Sequence, residues 1–333
     1  MLKRAPVRRG GSVLVFSAAL LLAGTACSGE PAAPGGDLAE ASRLAATGKS
    51  KEALALLDKL LAASPQNVPA QRLHQDLMLA AGRREELLAA YKRSESNPAM
   101  RALMRYLQAR AEAAPEKRRE KLEAILALEP RNFWAAYDLI AGCAAAGDLA
   151  SAERYGRAAR ELRPADPDVR NVLGNVYIQM GKPKEAEAEL NEALKARPRF
   201  PQAHYNLGLL RAGEGQLKEA AALFAKAAEE DPNFAEAWNN QGHCLARLDK
   251  TDAAVAAYRK AVEIKPDYGA AWNNLAVALY RQNDLWGAWA SLEKAEKYGY
   301  EVAPSFKRVL AKKLFPEKAP APAPPAAPAP KAG

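Results

Sequence analysis

From Phe133 onward, apolar and polar positions fall into copies of 34 residues, starting at Phe133, Pro167, Pro201, Ala235 and Gly269. Position 20 of the copies is Ala152, Ala186, Ala220, Ala254 and Ala288, and position 27 is Ala159, Ala193, Ala227, Ala261 and Ala295. Position 32 is Pro164, Pro198, Pro232 and Pro266, giving way to Tyr300 in the last copy. Position 7 reads Leu139, Leu173, Leu207, Gln241 and Leu275, and position 8 reads Ile140, Gly174, Gly208, Gly242 and Ala276. Self-similarity at this period predicts stacked helical hairpins. Small residues at positions 8, 20 and 27 let two helices, A and B, approach closely. Large residues at 4, 7, 11 and 24 fill the gaps between them. The proline at 32 cannot continue helix B and ends it. Abundant Ala, Leu, Glu and Arg support helix, and sparse β-branched residues argue against strand.

The pattern runs backward with less fidelity. Residues 34–67 keep Gly48, Ala53 and Pro65 in phase. Residues 68–98 form a shorter copy ending at Asn97-Pro98, and residues 99–132 reach Pro130 but place Ile125 where alanine is expected. Trp238, Gly242, Ala254, Tyr258 and Pro266 in one copy, and Leu207, Gly208, Ala220, Phe224 and Pro232 in another, resemble the tetratricopeptide repeat family. The resemblance implies an all-α, right-handed superhelical solenoid of about eight helix-turn-helix units. Residues 37–132 would hold degenerate copies and 133–302 five strong ones. Residues 303–315 would form a capping helix with Phe306, Val309, Leu310 and Leu314 on one apolar face. Its lysines and Arg308 read as a solvated cap, with contact to anionic lipid or wall polymer as the alternative. Trp286 and Trp289 are placed either to receive this cap or to form an exposed partner patch.

The two ends read differently. Residues 1–26 run from a basic stretch, through the apolar Val13 to Gly24, to small residues, the order of an export signal. The apolar run is too short to span a bilayer. The junction LAGTACSGE resembles a bacterial lipoprotein signal, which implies lipidation of Cys27. Gly24 in place of a branched aliphatic leaves ordinary signal cleavage open. Residues 27–36 look like a flexible tether, and residues 316–333, rich in Pro and Ala, like a disordered tail.

The net charge of +9 does not describe a basic face. Lys3, Arg4, Arg8 and Arg9 lie at the start, and Lys307, Arg308, Lys312, Lys313, Lys318 and Lys331 face only Glu317 at the end. The residues between are close to neutral, so nucleic acid is not an expected partner.

Chemistry is sparse. His74, His204 and His243 show no metal spacing, Cys143 and Cys244 have no C-x-x-C partner, and no phosphate loop follows a strand. No enzyme activity, metal, cofactor or small-molecule substrate is expected. The acids read as solvated helix faces.

The family resemblance implies instead a groove lined by helix A, with positions 2, 5, 6, 9, 12 and 13 exposed. Those positions supply Asn171, Asn175, Tyr205, Asn206, Asn239, Asn240, His243, Arg247, Asn273, Asn274 and Arg281. A column of asparagines resembles the amide ladder by which some members hold an extended peptide, since each amide both donates and accepts. Asparagine at position 6 also braces local structure in the family, so both readings stand. Within AWNNQGHCLA, Cys244 reads as a packing thiol, Asn239, Asn240 and His243 as groove residues, and Gln241 breaks the leucine pattern. The expected protein is an exported, lipid-anchored scaffold that binds a peptide or protein partner at the periplasmic face of an outer membrane. A soluble periplasmic form is the alternative location. A pilotin-like assembly factor for an outer-membrane pore is the alternative role, and the substrate-recognition part of a glycosyltransferase-type enzyme another.

Overall fold

The computed structural model describes residues 35–315. The expected signal at 1–26, Cys27, most of the tether and the tail at 316–333 lie outside the described residues. The described residues are all helix and connection, and the chain divides into two compact units at Glu214 and Gly215.

The N-terminal unit holds α1 (Gly35–Ala46), α2 (Ser50–Ala63), α3 (Val68–Ala80), α4 (Arg84–Ser94), α5 (Arg101–Arg110), α6 (Pro115–Leu128), α7 (Phe133–Ala145), α8 (Leu149–Leu162), α9 (Pro167–Gln179), α10 (Pro183–Ala196) and α11 (Pro201–Gly213). The C-terminal unit holds α12 (Leu217–Glu230), α13 (Ala235–Arg247), α14 (Thr251–Ile264), α15 (Gly269–Arg281), α16 (Leu285–Lys297) and α17 (Pro304–Leu314). The result is an all-α repeat solenoid. In all five copies from Phe133, helix A begins at position 1 and helix B at position 17.

Three local rules produce this regularity. The first is the turn between A and B. Gly181 at position 15 has φ 67°, and Asp249 (φ 57°) and Asn283 (φ 63°) hold the same left-handed conformation in later copies. The next residue's N–H then donates back to the carbonyl of position 11, as in Lys182 to Tyr177 (2.9 Å), Lys250 to Leu245 (3.0 Å) and Asp284 to Leu279 (2.9 Å). This closes the C-terminus of helix A.

The second rule is the close crossing of A and B. A Cβ placed on Gly174 would lie 2.7 Å from Leu190 Cγ, and one on Gly242 would lie 2.8 Å from the Tyr258 ring. Position 8 is small because position 24 is large. The copy at Phe133 exchanges the two sizes, with buried Ile140 at position 8 and Gly156 at position 24.

The third rule ties successive copies together. In four copies the side chain at position 4 donates to the carbonyl of the proline six residues earlier. Gln71 does so to Pro65 (3.0 Å), Arg170 to Pro164 (2.9 Å), Trp238 to Pro232 (3.4 Å) and Trp272 to Pro266 (2.8 Å). The proline therefore ends helix B and also offers the acceptor that fixes where the next helix A begins.

Helix α17 closes the C-terminal unit. Leu310 is fully buried, and Phe306 packs edge-on to Tyr280 at 5.4 Å between centroids. Phe315 meets Trp286 and Trp289 at 5.7 Å each, so both tryptophans contact the end of the cap. Val309 does not share the apolar face. It is exposed, because it lies one residue, about 100°, away from the buried Leu310.

Candidate functional site

The candidate binding face is formed by the A helices of each unit. In the N-terminal unit, α9 and α11 bring three predicted amides together. Asn206 Nδ2 donates to Asn171 Oδ1 at 2.9 Å, and Asn175 Nδ2 donates to Asn206 Oδ1 at 3.2 Å. Gln179 extends the chain by donating to Asn175 Oδ1 at 2.7 Å. Asn171 and Asn175 are half-buried, and Tyr205 is buried beside Asn206 in sequence.

The C-terminal unit repeats the arrangement on α13 and α15. Asn274 Nδ2 donates to Asn239 Oδ1 at 3.0 Å. Asn239 Nδ2 in turn donates to Asn240 Oδ1 (3.3 Å) and the Tyr268 hydroxyl (3.4 Å). In both units a position-6 amide donates to the position-5 amide of the preceding A helix.

Asn206, Asn239 and Asn240 retain only 7%, 4% and 5% exposure. The expectation that positions 5 and 6 face outward is therefore not met at these residues. Neighbouring A helices come close enough for their amides to bond each other, which uses the groups a peptide would need. What remains open on this face of the C-terminal unit is a second stripe. Asn273 and His243 are half-buried, while Arg247 and Arg281 are exposed. Arg281 also donates to the Ala246 carbonyl at 3.0 Å, which holds its guanidinium against α13. Val277, between Asn273 and Arg281 at helical spacing, is exposed.

Burial pushes the His243 imidazole below its ordinary pKa, and nearby Arg247 adds to the effect. His243 is thus neutral near pH 7, with one nitrogen able to donate and one to accept. The Cys244 thiol, 1% exposed, is pushed up to about 11 by burial, which outweighs the opposing effect of Arg247. It is a packing thiol and not a nucleophile at neutral pH.

The family model described as Tetratricopeptide repeat matches residues 171–233, and a second model of that description matches residues 235–268. Residues 171–268 are tetratricopeptide repeats. No curated protein sequence matches it. Among solved structures it is similar to the APC/C hetero-tetramer Cut9–Hcn1, with a TM-score of 0.67 and 17% identity over 85% of this chain and 56% of that one. The tetratricopeptide chain thus spans little more than half of that neighbour's length. It is also similar to YrrB, described as a TPR protein with an unusual peptide-binding site (TM-score 0.43, 22% identity, 58% of this chain and 96% of that one). A third similar structure is pilF of Pseudomonas aeruginosa (TM-score 0.49, 20% identity, 56% of this chain and 94% of that one).

The tetratricopeptide chain also holds polar groups that the sequence reading missed. In the N-terminal unit, Arg72 of α3 and Tyr106 of α5 both reach Asp138 of α7, at 2.8 and 2.7 Å, and Arg72 also donates to the Tyr106 hydroxyl. Arg110 lies 3.5 Å from Asp138 and is held by Asp76 and by Gln75 (2.7 Å). Arg72 stacks over Trp134 at 4.8 Å and Tyr137 at 5.5 Å. Elsewhere Asp168 takes a two-pronged bond from Arg197 (2.9 and 2.7 Å), and Glu189 is gripped by Arg160 and Arg170.

These acids are not solvated charges. Asp168 and Glu189 are buried, and each is neutralised by arginine from a neighbouring element. One sequence signal was available for the first cluster: Arg72 and Tyr106 are separated by one repeat period. Among the described residues, no group of three or more His, Cys, Asp or Glu is placed to hold a metal ion. No described helix is long and apolar enough to cross a membrane.

Proposed function

We propose that this tetratricopeptide repeat scaffold holds an extended peptide segment of a partner protein against its A helices, with the open contacts made by the C-terminal unit. The carrying observation is the division of labour on α13 and α15. Asn239, Asn240 and Asn274 are engaged with each other or with Tyr268, while Asn273, His243, Arg247 and Arg281 keep accessible surface. An amide and a neutral imidazole suit a peptide backbone, which offers both donors and acceptors. Two guanidinium groups favour an acidic side chain within the segment.

The scaffold is further proposed to be exported and anchored through acylated Cys27, facing the periplasm from the outer membrane. The support is the order of basic, apolar and small residues before Cys27. No catalytic step is assigned to the chain.

The binding test is partner recovery from membranes by the full chain, by Asn273→Ala/His243→Ala and by Arg247→Glu/Arg281→Glu. Both variants should lose recovery of the same identified partner at unchanged helicity. Equal recovery by all three would refute binding at the face formed by the A helices. Cys27→Ser with metabolic acyl labelling tests the anchor separately. Equal label in both chains would refute it.

A further inference from the structure

Helix α17 uses only one side to close the solenoid. Leu310 is buried and Phe306 and Leu314 are half-buried, whereas Ser305, Arg308, Val309, Lys312 and Phe315 are exposed. At helical spacing Ser305, Arg308, Val309 and Lys312 fall within a stripe about 100° wide, and Phe315 follows the last turn of the helix. Trp286 of α16 extends the stripe, edge-on to Phe315 at 5.7 Å. Trp286, Phe315 and Val309 keep 63%, 54% and 46% exposure, so this end gathers three of the large apolar side chains left open to solvent.

The cations around them divide in two. Lys307 is tied to Glu296 at 2.7 Å, and Lys313 lies over the Tyr280 ring at 4.7 Å. Arg308 and Lys312 make no ion pair among the described residues, and α17 contains no acid. Exposed aromatics flanked by cations that have no ion pair among the described residues complement an anionic lipid surface. The rings enter the boundary between headgroup and acyl chain, and the cations meet phosphate. A second copy fits less well. A two-fold interface presents the same patch from both sides and would gather two copies of Arg308 and Lys312 in one interface, with no acid of α17 to face them.

We propose that the outer stripe of α17, together with Trp286, docks onto a bilayer containing anionic lipids. The docking depends neither on acylation of Cys27 nor on the peptide-binding face. It gives the solenoid a membrane contact at its C-terminal end.

The test is vesicle flotation of the full chain carrying Cys27→Ser. Vesicles of phosphatidylcholine are compared with vesicles containing about one-third phosphatidylglycerol, chosen to give the surface the anionic charge of a cytoplasmic or envelope leaflet. Any contribution of the apolar run at Val13–Gly24 is common to every variant, so the comparison is between variants. The anionic vesicles should bind better, and Arg308→Glu/Lys312→Glu should weaken that binding by about tenfold or more. Arg308→Gln/Lys312→Gln should fall between, and it decides the matter if charge reversal disturbs folding. Brominated acyl chains should quench tryptophan emission, and Trp286→Phe should remove most of that quenching.

Equal flotation of the neutralised and parent chains would overturn the proposal. So would quenching that is unchanged by Trp286→Phe. A dimer formed without vesicles and abolished by Trp286→Ser/Phe315→Ser would overturn it in favour of a second copy.

Discussion

The side-chain amide of Asn274 donates to the amide oxygen of Asn239 at 3.0 Å, joining two successive A helices. Asn206 makes the same bond to Asn171, also from position 6 to position 5 and also 35 residues apart. The shared geometry identifies these amides as braces between repeats. Replacing Asn239 with alanine leaves the half-buried Asn274 without its acceptor and the buried Tyr268 hydroxyl without its donor. The expected cost is about 1–3 kcal/mol. In a double-mutant cycle, Asn239→Ala and Asn274→Ala should be non-additive by about 0.5–1.5 kcal/mol, measured by urea unfolding. Additive losses would mean the bond does not form in solution. Alanine at these positions is therefore a poor probe of partner binding, because it also loosens the scaffold.

Gln241 stands where other copies place Leu139, Leu173, Leu207 and Leu275. Its Oε1 is buried with no hydrogen-bond partner. The carbonyl has lost water and gained nothing in return, which costs on the order of 1–3 kcal/mol. Gln241→Leu restores the apolar side chain that the copy's neighbours carry. It should raise stability by about 1–2 kcal/mol, seen as a higher midpoint in urea at unchanged slope. A loss of stability would show that the position has a polar contact the static structure does not contain.

Much of the scaffold was legible in the chain and part of the face was not, for a physical reason. Packing positions such as Gly174 and Leu190 recur because each copy re-creates the same crossing of A and B, so period alone reveals them. The exchange of sizes between Ile140 and Gly156 was also readable once both positions were compared. The bond from Asn274 to Asn239 depends instead on register between neighbouring A helices. A column of asparagines looks the same whether its amides meet a ligand or each other. Asp138 was harder still, because its partner Arg72 is 66 residues away in a copy with a worn pattern.

Asp249 occupies a left-handed turn position, φ 57°, that Gly181 fills in an earlier copy. A side chain with a Cβ is strained there, although Asp and Asn tolerate the region better than most. Asp249→Gly should stabilise the protein by about 0.5–1 kcal/mol, and Gly181→Ala should destabilise it by about 1 kcal/mol or more. Thermal unfolding of the two variants should move in opposite directions. Movement in the same direction would show that the turn's conformation is not what sets its residue preference.

Asp138 is the shared acceptor of Arg72 and Tyr106 in the N-terminal unit. Burial pushes its carboxyl up, but Arg72 and Arg110, aided by the Tyr106 hydroxyl, outweigh burial and hold it below the usual carboxylate range. A carboxyl whose folded pKa is depressed binds fewer protons folded than unfolded. Its contribution is therefore complete above the unfolded value, about pH 4, and is lost as pH falls through the lower folded value. Asp138→Asn removes the charge while Arg72 stays buried against Trp134, and this should cost about 3–5 kcal/mol near pH 7. The difference between parent and variant should then shrink on acidification below about pH 4, because the parent alone loses this contribution. Unfolding free energies followed from neutral to acid pH check both parts. A gap that stays constant with pH would mean that packing around Asp138, rather than its charge, carries the stability.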